Sequence, residues 1–155
     1  VLIRLLALAL LLLVLWKLFR YAMGLRYEKL MREESRRALL AQGRRIVAEL
    51  PLESGLEFVL EDADAFHWGG KSLRKREVAG ARLLLNGASV AAAARGGGAL
   101  PEAPAAEAYE GRERWEVVVY LDGARTHVIP CGTLREGVSR EAAQQVFAAV
   151  KAAIE

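Results

Sequence analysis

The hydrophobic pattern changes period twice along the chain. From Leu5 to Trp16 every residue is apolar, with Arg4 before the run and Lys17 and Arg20 after it. From residue 25 to 50 apolar residues recur at three- and four-residue intervals, Tyr27, Leu30 and Met31 on one stripe and Leu39, Ile46, Val47 and Leu50 on another. That spacing predicts a helix, and the Ala, Leu, Glu, Arg and Gln that dominate there are strong helix formers. Glu33 and Arg37 stand one turn apart, where an ion pair bridges a helix surface. Gly24 and Gly43 are the expected bends. Pro51 is the expected stop, because the residue before a proline is pushed out of the helical region.

Beyond residue 56 the period falls to two. Strands are predicted over Leu56–Leu60, Ala65–Trp68, Lys71–Lys75, Val78–Leu85, Ser89–Ala93, Arg114–Leu121 and Arg125–Ile129. Gly69-Gly70, Asn86-Gly87 and Asp122-Gly123 are read as tight hairpin turns, since such turns need positive φ at their centre. Trp115, Val117, Val119 and Leu121 alternate with Glu116, Val118 and Tyr120, which gives that strand one strongly apolar face. Residues 95–111, RGGGALPEAPAAEAYEG, read as a mobile loop. The chain closes on a helix with Ser139 as its expected N-cap, Glu141 in its first turn and an apolar stripe of Ala143, Val146, Phe147, Val150 and Ile154.

The first run reads as a membrane span. Twelve apolar residues cover only about 18 Å of helix, against a hydrocarbon core of about 30 Å. A crossing over residues 2–22 therefore needs Arg4 and Lys17 to lay their stems along lipid, with Trp16, Phe19, Arg20 and Tyr21 in the interface. A cleaved signal peptide and a buried helix of a soluble protein are the rival readings. Ala22-Met23-Gly24, beside bulky Tyr21 and Arg20, makes a poor cleavage site. Lys17, Arg20, Arg26, Lys29, Arg32, Arg36, Arg37, Arg44 and Arg45 follow the run, so the positive-inside rule places the rest of the chain in the cytoplasm of a bacterial inner membrane. The expected organisation is a transmembrane helix over 1–23, a helical stalk over 24–50 and a β-rich domain over 51–155. Val1 in place of Met suggests a fragment or a translated alternative start codon.

Charge refines this picture. The formal net charge of the chain is +3, but residues 1–50 carry +6 and residues 51–155 carry −3. The basic character belongs to the N-terminal part, which argues against a nucleic-acid binder. The single Cys131 agrees with the cytoplasmic placement, since an exported domain more often carries paired cysteines.

About seven short antiparallel strands followed by an amphipathic helix is an order of elements that resembles the pleckstrin-homology-like superfold. The resemblance covers residues 56–154 and rests on topology and hairpin spacing; Trp68, Trp115 and Arg82-Leu83-Leu84-Leu85-Asn86-Gly87 are at home in it. It implies an antiparallel barrel of about seven strands with the C-terminal helix capping one end. Phosphoinositide-binding members carry basic residues between the first two strands. Here Lys71, Arg74, Lys75 and Arg76 come later, near the second hairpin, as a candidate patch for lipid or an acidic partner.

No catalytic motif stands out. His67, His127 and Cys131 are the only residues of a thiol–imidazole pair, and a strand running through Pro130 does not aim His127 at Cys131. Glu61, Asp62 and Asp64 form a carboxylate cluster without the glycine and closing glutamate of an EF-hand. Gly96-Gly97-Gly98 lacks the lysine and hydroxyl of a phosphate loop. The expectation is a non-catalytic interaction module: an accessory or assembly subunit of a membrane complex, with membrane lipid and other membrane-protein subunits as partners and no cofactor, metal, nucleic acid or small-molecule substrate. A peripheral sensor of anionic lipid and a thiol-dependent enzyme are the alternatives.

Overall fold

The computed structural model describes residues 2–52, 55–104, 113–123, 125–132 and 136–155, with backbone only at 2–10, 22, 24–29, 31, 32 and 136. The chain divides into two compact units, Val1–Gln42 and Gly43–Glu155.

The first unit is one helix, α1 (Leu2–Ala41), of 40 residues. Gly24 lies inside it without interrupting it. Gln42 N–H donates to Leu39 O at 3.2 Å, and Gly43 follows in the left-handed region at φ +74°, the conformation that most often ends a helix. The expected Glu33–Arg37 pair forms at 3.7 Å on the exposed surface, where such pairs contribute about 0.3–0.5 kcal/mol.

The expected transmembrane span does not hold. Among the described residues, no helix is long and apolar enough to cross a membrane. The physical reason is one of length. The uninterrupted run is too short, and a window of membrane thickness takes in Lys17 and Arg20. With the span go the single-pass topology, the inner-membrane location and the cytoplasmic assignment that rested on it.

The second unit contains, among the described residues, eight strands and a helix. These are β1 (Arg45–Leu52), β2 (Gly55–Glu61), β3 (Ala65–Trp68), β4 (Lys71–Arg74), β5 (Val78–Leu85), β6 (Ala88–Ala94), β7 (Trp115–Leu121), β8 (Thr126–Gly132) and α2 (Glu136–Ile154). All seven predicted strand segments fall on strands. The eighth, β1, occupies the end of the expected stalk. After Gly43, Ala48, Leu50 and Leu52 alternate inward, Val47 packs on the same core at a register shift between Ile46 and Ala48, and Pro51 sits opposite Leu56 near the end of an edge strand, where its missing N–H breaks no ladder.

The strands form two four-stranded antiparallel sheets, ordered β1-β2-β3-β4 and β6-β5-β7-β8. The expected barrel is therefore not closed. β4 passes into β5 through a 3-10 turn at Lys75–Glu77 that sends the chain to the other sheet. Among the described residues no ladder joins the two sheets, although β1 runs beside β8. Gly69-Gly70 and Asn86-Gly87 make the expected turns with both residues at positive φ, whereas at Asp122-Gly123 only the glycine is so placed and the connection is longer, closed by Leu121 N–H donating to Arg125 O at 2.8 Å.

One core serves both sheets and the helix. Leu50, Val59, Phe66, Trp68 and Leu73 come from the first sheet, and Val78, Leu83, Val117, Val119 and Ile129 from the second. Ala143, Val146, Val150 and Ile154 of α2 complete it, as their spacing predicts, with Phe147 partly buried. Ser139 is not the N-cap. It is fully buried within α2, one turn after its start. On the opposite face of the second sheet, Leu84, Val118 and Tyr120 form a smaller cluster covered by Leu100 and Ala103. Leu100 and Ala103 of the expected mobile loop are thus seated on the sheet, while its residues 105–111 lie outside the described residues.

Candidate functional site

The most exposed apolar surface lies on α1. Leu11–Trp16, Leu18, Phe19, Tyr21 and Met23 are all exposed, Phe19 at 65% and Tyr21 at 71%. They occur at consecutive positions, so they ring the helix instead of forming one stripe. Arg20 stacks its guanidinium 5.2 Å from the centroid of the Trp16 ring, an arrangement in which cation and indole attract. Trp16, Lys17, Phe19, Arg20 and Tyr21, expected at an interface, therefore fall on one exposed helical segment. The side chain of Arg4 lies outside the described residues.

Of the expected basic patch, Arg74, Lys75 and Arg76 line one cleft with Ala63 and Asp64. Lys71 is exposed at the start of β4, and Arg76 is exposed in the 3-10 turn that follows it. Arg74 pairs with Glu77 at 3.0 Å. Lys75 turns inward: its ammonium donates to Asp62 O at 2.6 Å, lies 3.6 Å from Glu61 Oε2 and stands 5.1 Å over the Phe66 ring. Glu61 also pairs with Arg45 of β1. Two of the three cations at this cleft, Arg74 and Lys75, are thus paired within the chain.

The carboxylate cluster has a structural task. Asp62 Oδ1 accepts from Asp64 N–H at 2.9 Å and Ala65 N–H at 2.7 Å, which ties the β2–β3 turn. Its Oδ2 lies 2.7 Å from His67 Nε2. The His67 contact, followed by the two backbone donors, lowers the Asp62 pKa from 3.8 to about 2. A carboxyl with a depressed folded pKa stabilises the fold above its unfolded pKa, and that contribution is lost as pH falls through the folded value. Asp62→Asn is therefore expected to be less stable than the parent chain at pH 6, with the difference closing as pH falls through about 2. Urea midpoints of the two, taken at intervals across that range, converge as the acid limit is reached; parallel curves exclude this role. Nothing in the sequence pattern pairs Asp62 with His67, because the contact is made by the turn between two strands.

His127 and Cys131 stay apart. Four residues along a strand span about 13 Å. The His127 ring packs edge-on to Trp68, centroids 6.1 Å apart. Cys131 is fully buried, and its thiol donates to Ile129 O at 3.5 Å. Burial first, and then the Glu116 carboxylate, push the thiol pKa up to about 12, the reverse of what a nucleophile needs. Among the described residues, no group of three or more His, Cys, Asp or Glu side chains is arranged to hold a metal ion. Gly96 and Gly97 belong to a short 3-10 turn between β6 and the segment that returns over the sheet.

Comparison of the chain with protein-family models, with curated proteins and with solved structures gives no match, so the reading of function rests on the geometry of these groups.

Proposed function

We propose that the protein is a non-catalytic interaction module, an accessory or assembly subunit that joins a larger complex through α1. The observation that carries this reading is the ring of exposed apolar side chains from Leu11 to Met23. A helix that is apolar on every side is normally covered, and helices lying in grooves or bundles of a partner are a standard way to cover one. The chemistry of the second unit agrees with binding rather than turnover: His67 is held by Asp62, His127 by Trp68, and the Cys131 thiol is buried. The partner surface is apolar and provided by protein. Lipid head groups are the weaker candidate, since Arg74 and Lys75 are engaged within the chain.

The test is site-specific photo-cross-linking in cells. A photoreactive phenylalanine at Leu15 or Phe19 is expected to give one discrete adduct with a protein partner, and one at exposed Arg140 to give none. Leu12→Glu in the same chain should reduce that adduct at least tenfold. Absence of any adduct along α1 in a stably accumulated protein would overturn the reading.

A further inference from the structure

The outer face of the second sheet carries a cleft of about 460 Å³ between the sheet and the 98–101 segment. Its walls are fixed by the chain itself. Arg82 Nη2 donates to Leu100 O at 3.2 Å and to Pro101 O at 3.1 Å, which clamps the segment onto β5. Leu100 leans on Gly80 so closely that a Cβ there would stand 2.4 Å from Leu100 Cδ2. At the mouth, Arg95 Nη1 donates to Arg76 O at 3.0 Å and Nη2 to Lys75 O at 3.2 Å, with Asp122 Oδ2 4.0 Å away. The lining is mostly small and apolar, with Ala79, Ala94 and Leu100 among its members.

Tyr120 also lines this cleft. It is 2% exposed, and its hydroxyl is buried without a hydrogen-bond partner among the described residues. Such a group loses water on folding and gains nothing in return, and in native proteins it calls for a specific explanation. Sites of a few hundred Å³ with apolar walls and one or two placed polar groups are the usual form of small-molecule pockets.

We infer that this cleft is a binding site for a small, neutral, largely apolar molecule with a carbonyl-type acceptor, which takes the Tyr120 hydroxyl proton in a hydrogen bond. The ligand is neutral because Arg95, the cation at the mouth, already has two carbonyl acceptors and a carboxylate close by. It carries an acceptor because the unmatched group is a phenol with a proton to donate; the neighbouring carbonyls of Leu100 and Pro101 are held by Arg82. This site is independent of the α1 surface proposed above.

Acetophenone and its near-isostere α-methylstyrene, in which a methylene replaces the carbonyl oxygen, probe the site by amide-shift titration of the full chain. Both are expected to shift the amides of Leu100, Tyr120 and Gly123 saturably. Tyr120→Phe deletes only an unpartnered atom and so leaves the fold intact. It should weaken acetophenone about fivefold, the worth of one neutral hydrogen bond, and leave α-methylstyrene unchanged. Ala99→Trp, on an exposed part of the wall, should abolish both. An acetophenone to α-methylstyrene ratio that is the same in the parent chain and in Tyr120→Phe would overturn the inference. So would the lack of saturable shifts at these amides with either probe.

Discussion

Leu50→Ala is expected to destabilise the second unit by about 2–5 kcal/mol, the range for emptying a buried leucine site. Leu50 is fully buried on β1, in the core that both sheets share with α2. Deleting its isobutyl group removes apolar burial and leaves a space that the neighbouring strands are not free to close. Urea unfolding followed by tryptophan emission reports on this unit, because Trp68 and Trp115 are each 5% exposed and redden when released. A loss of this size lowers the midpoint by about 1 M or more. Leu40 of α1, exposed, is the control. Leu40→Ala should stay within about 0.5 kcal/mol of the parent chain. The contrast between the two variants separates strand from stalk: if residues 45–50 continued the helix, Leu50 would behave like Leu40, and equal small effects would argue for that arrangement.

Leu50 also shows why part of the fold could be read and part could not. Leu39, Ile46, Val47 and Leu50 satisfy a helical spacing, but Ile46, Ala48, Leu50 and Leu52 satisfy a strand spacing equally well. Short apolar segments support both periods. Two signals could have decided between them: Gly43 as a helix end, and Pro51 as a residue tolerated at the end of an edge strand. The other seven strands were legible because turn residues bracket them and one face of each is apolar. Closure was not legible, since it depends on whether β4 and β5 pair, and the three residues Lys75–Glu77 carry no mark of a change of sheet. The membrane span failed on a length that could be counted: about 18 Å of apolar helix was asked to do the work of about 30 Å. The cleft is not legible in the sequence because Tyr120 reads as the polar side of an alternating strand. Only the return of residues 98–101 over that face buries its hydroxyl.

Gly132→Ala is expected to cost about 2–6 kcal/mol, for two reasons that can be separated. Gly132 ends β8 at φ +101°, outside the regions that L-residues occupy comfortably, and such strain is worth about 1–3 kcal/mol. A Cβ there would also stand 2.8 Å from Pro51 O and 3.1 Å from Ser139 Oγ, where the ends of β8 and β1 meet the first turns of α2. Overpacking at a well-filled site adds about 1–3 kcal/mol. Gly123 isolates the first component, because it has φ +81° but nothing within 4 Å of where a methyl group would stand; Gly123→Ala should show the strain alone. The Ser139 hydroxyl is buried and unpartnered among the described residues, so Ser139→Ala by itself removes no hydrogen bond. In the double variant with Gly132→Ala it relieves only the hydroxyl contact. The Pro51 carbonyl is backbone and cannot turn aside, so most of the cost should persist. Full recovery in the double variant would place the conflict at Ser139 alone, and a Gly132→Ala midpoint equal to that of Gly123→Ala would show that β1 and β8 yield freely at this corner.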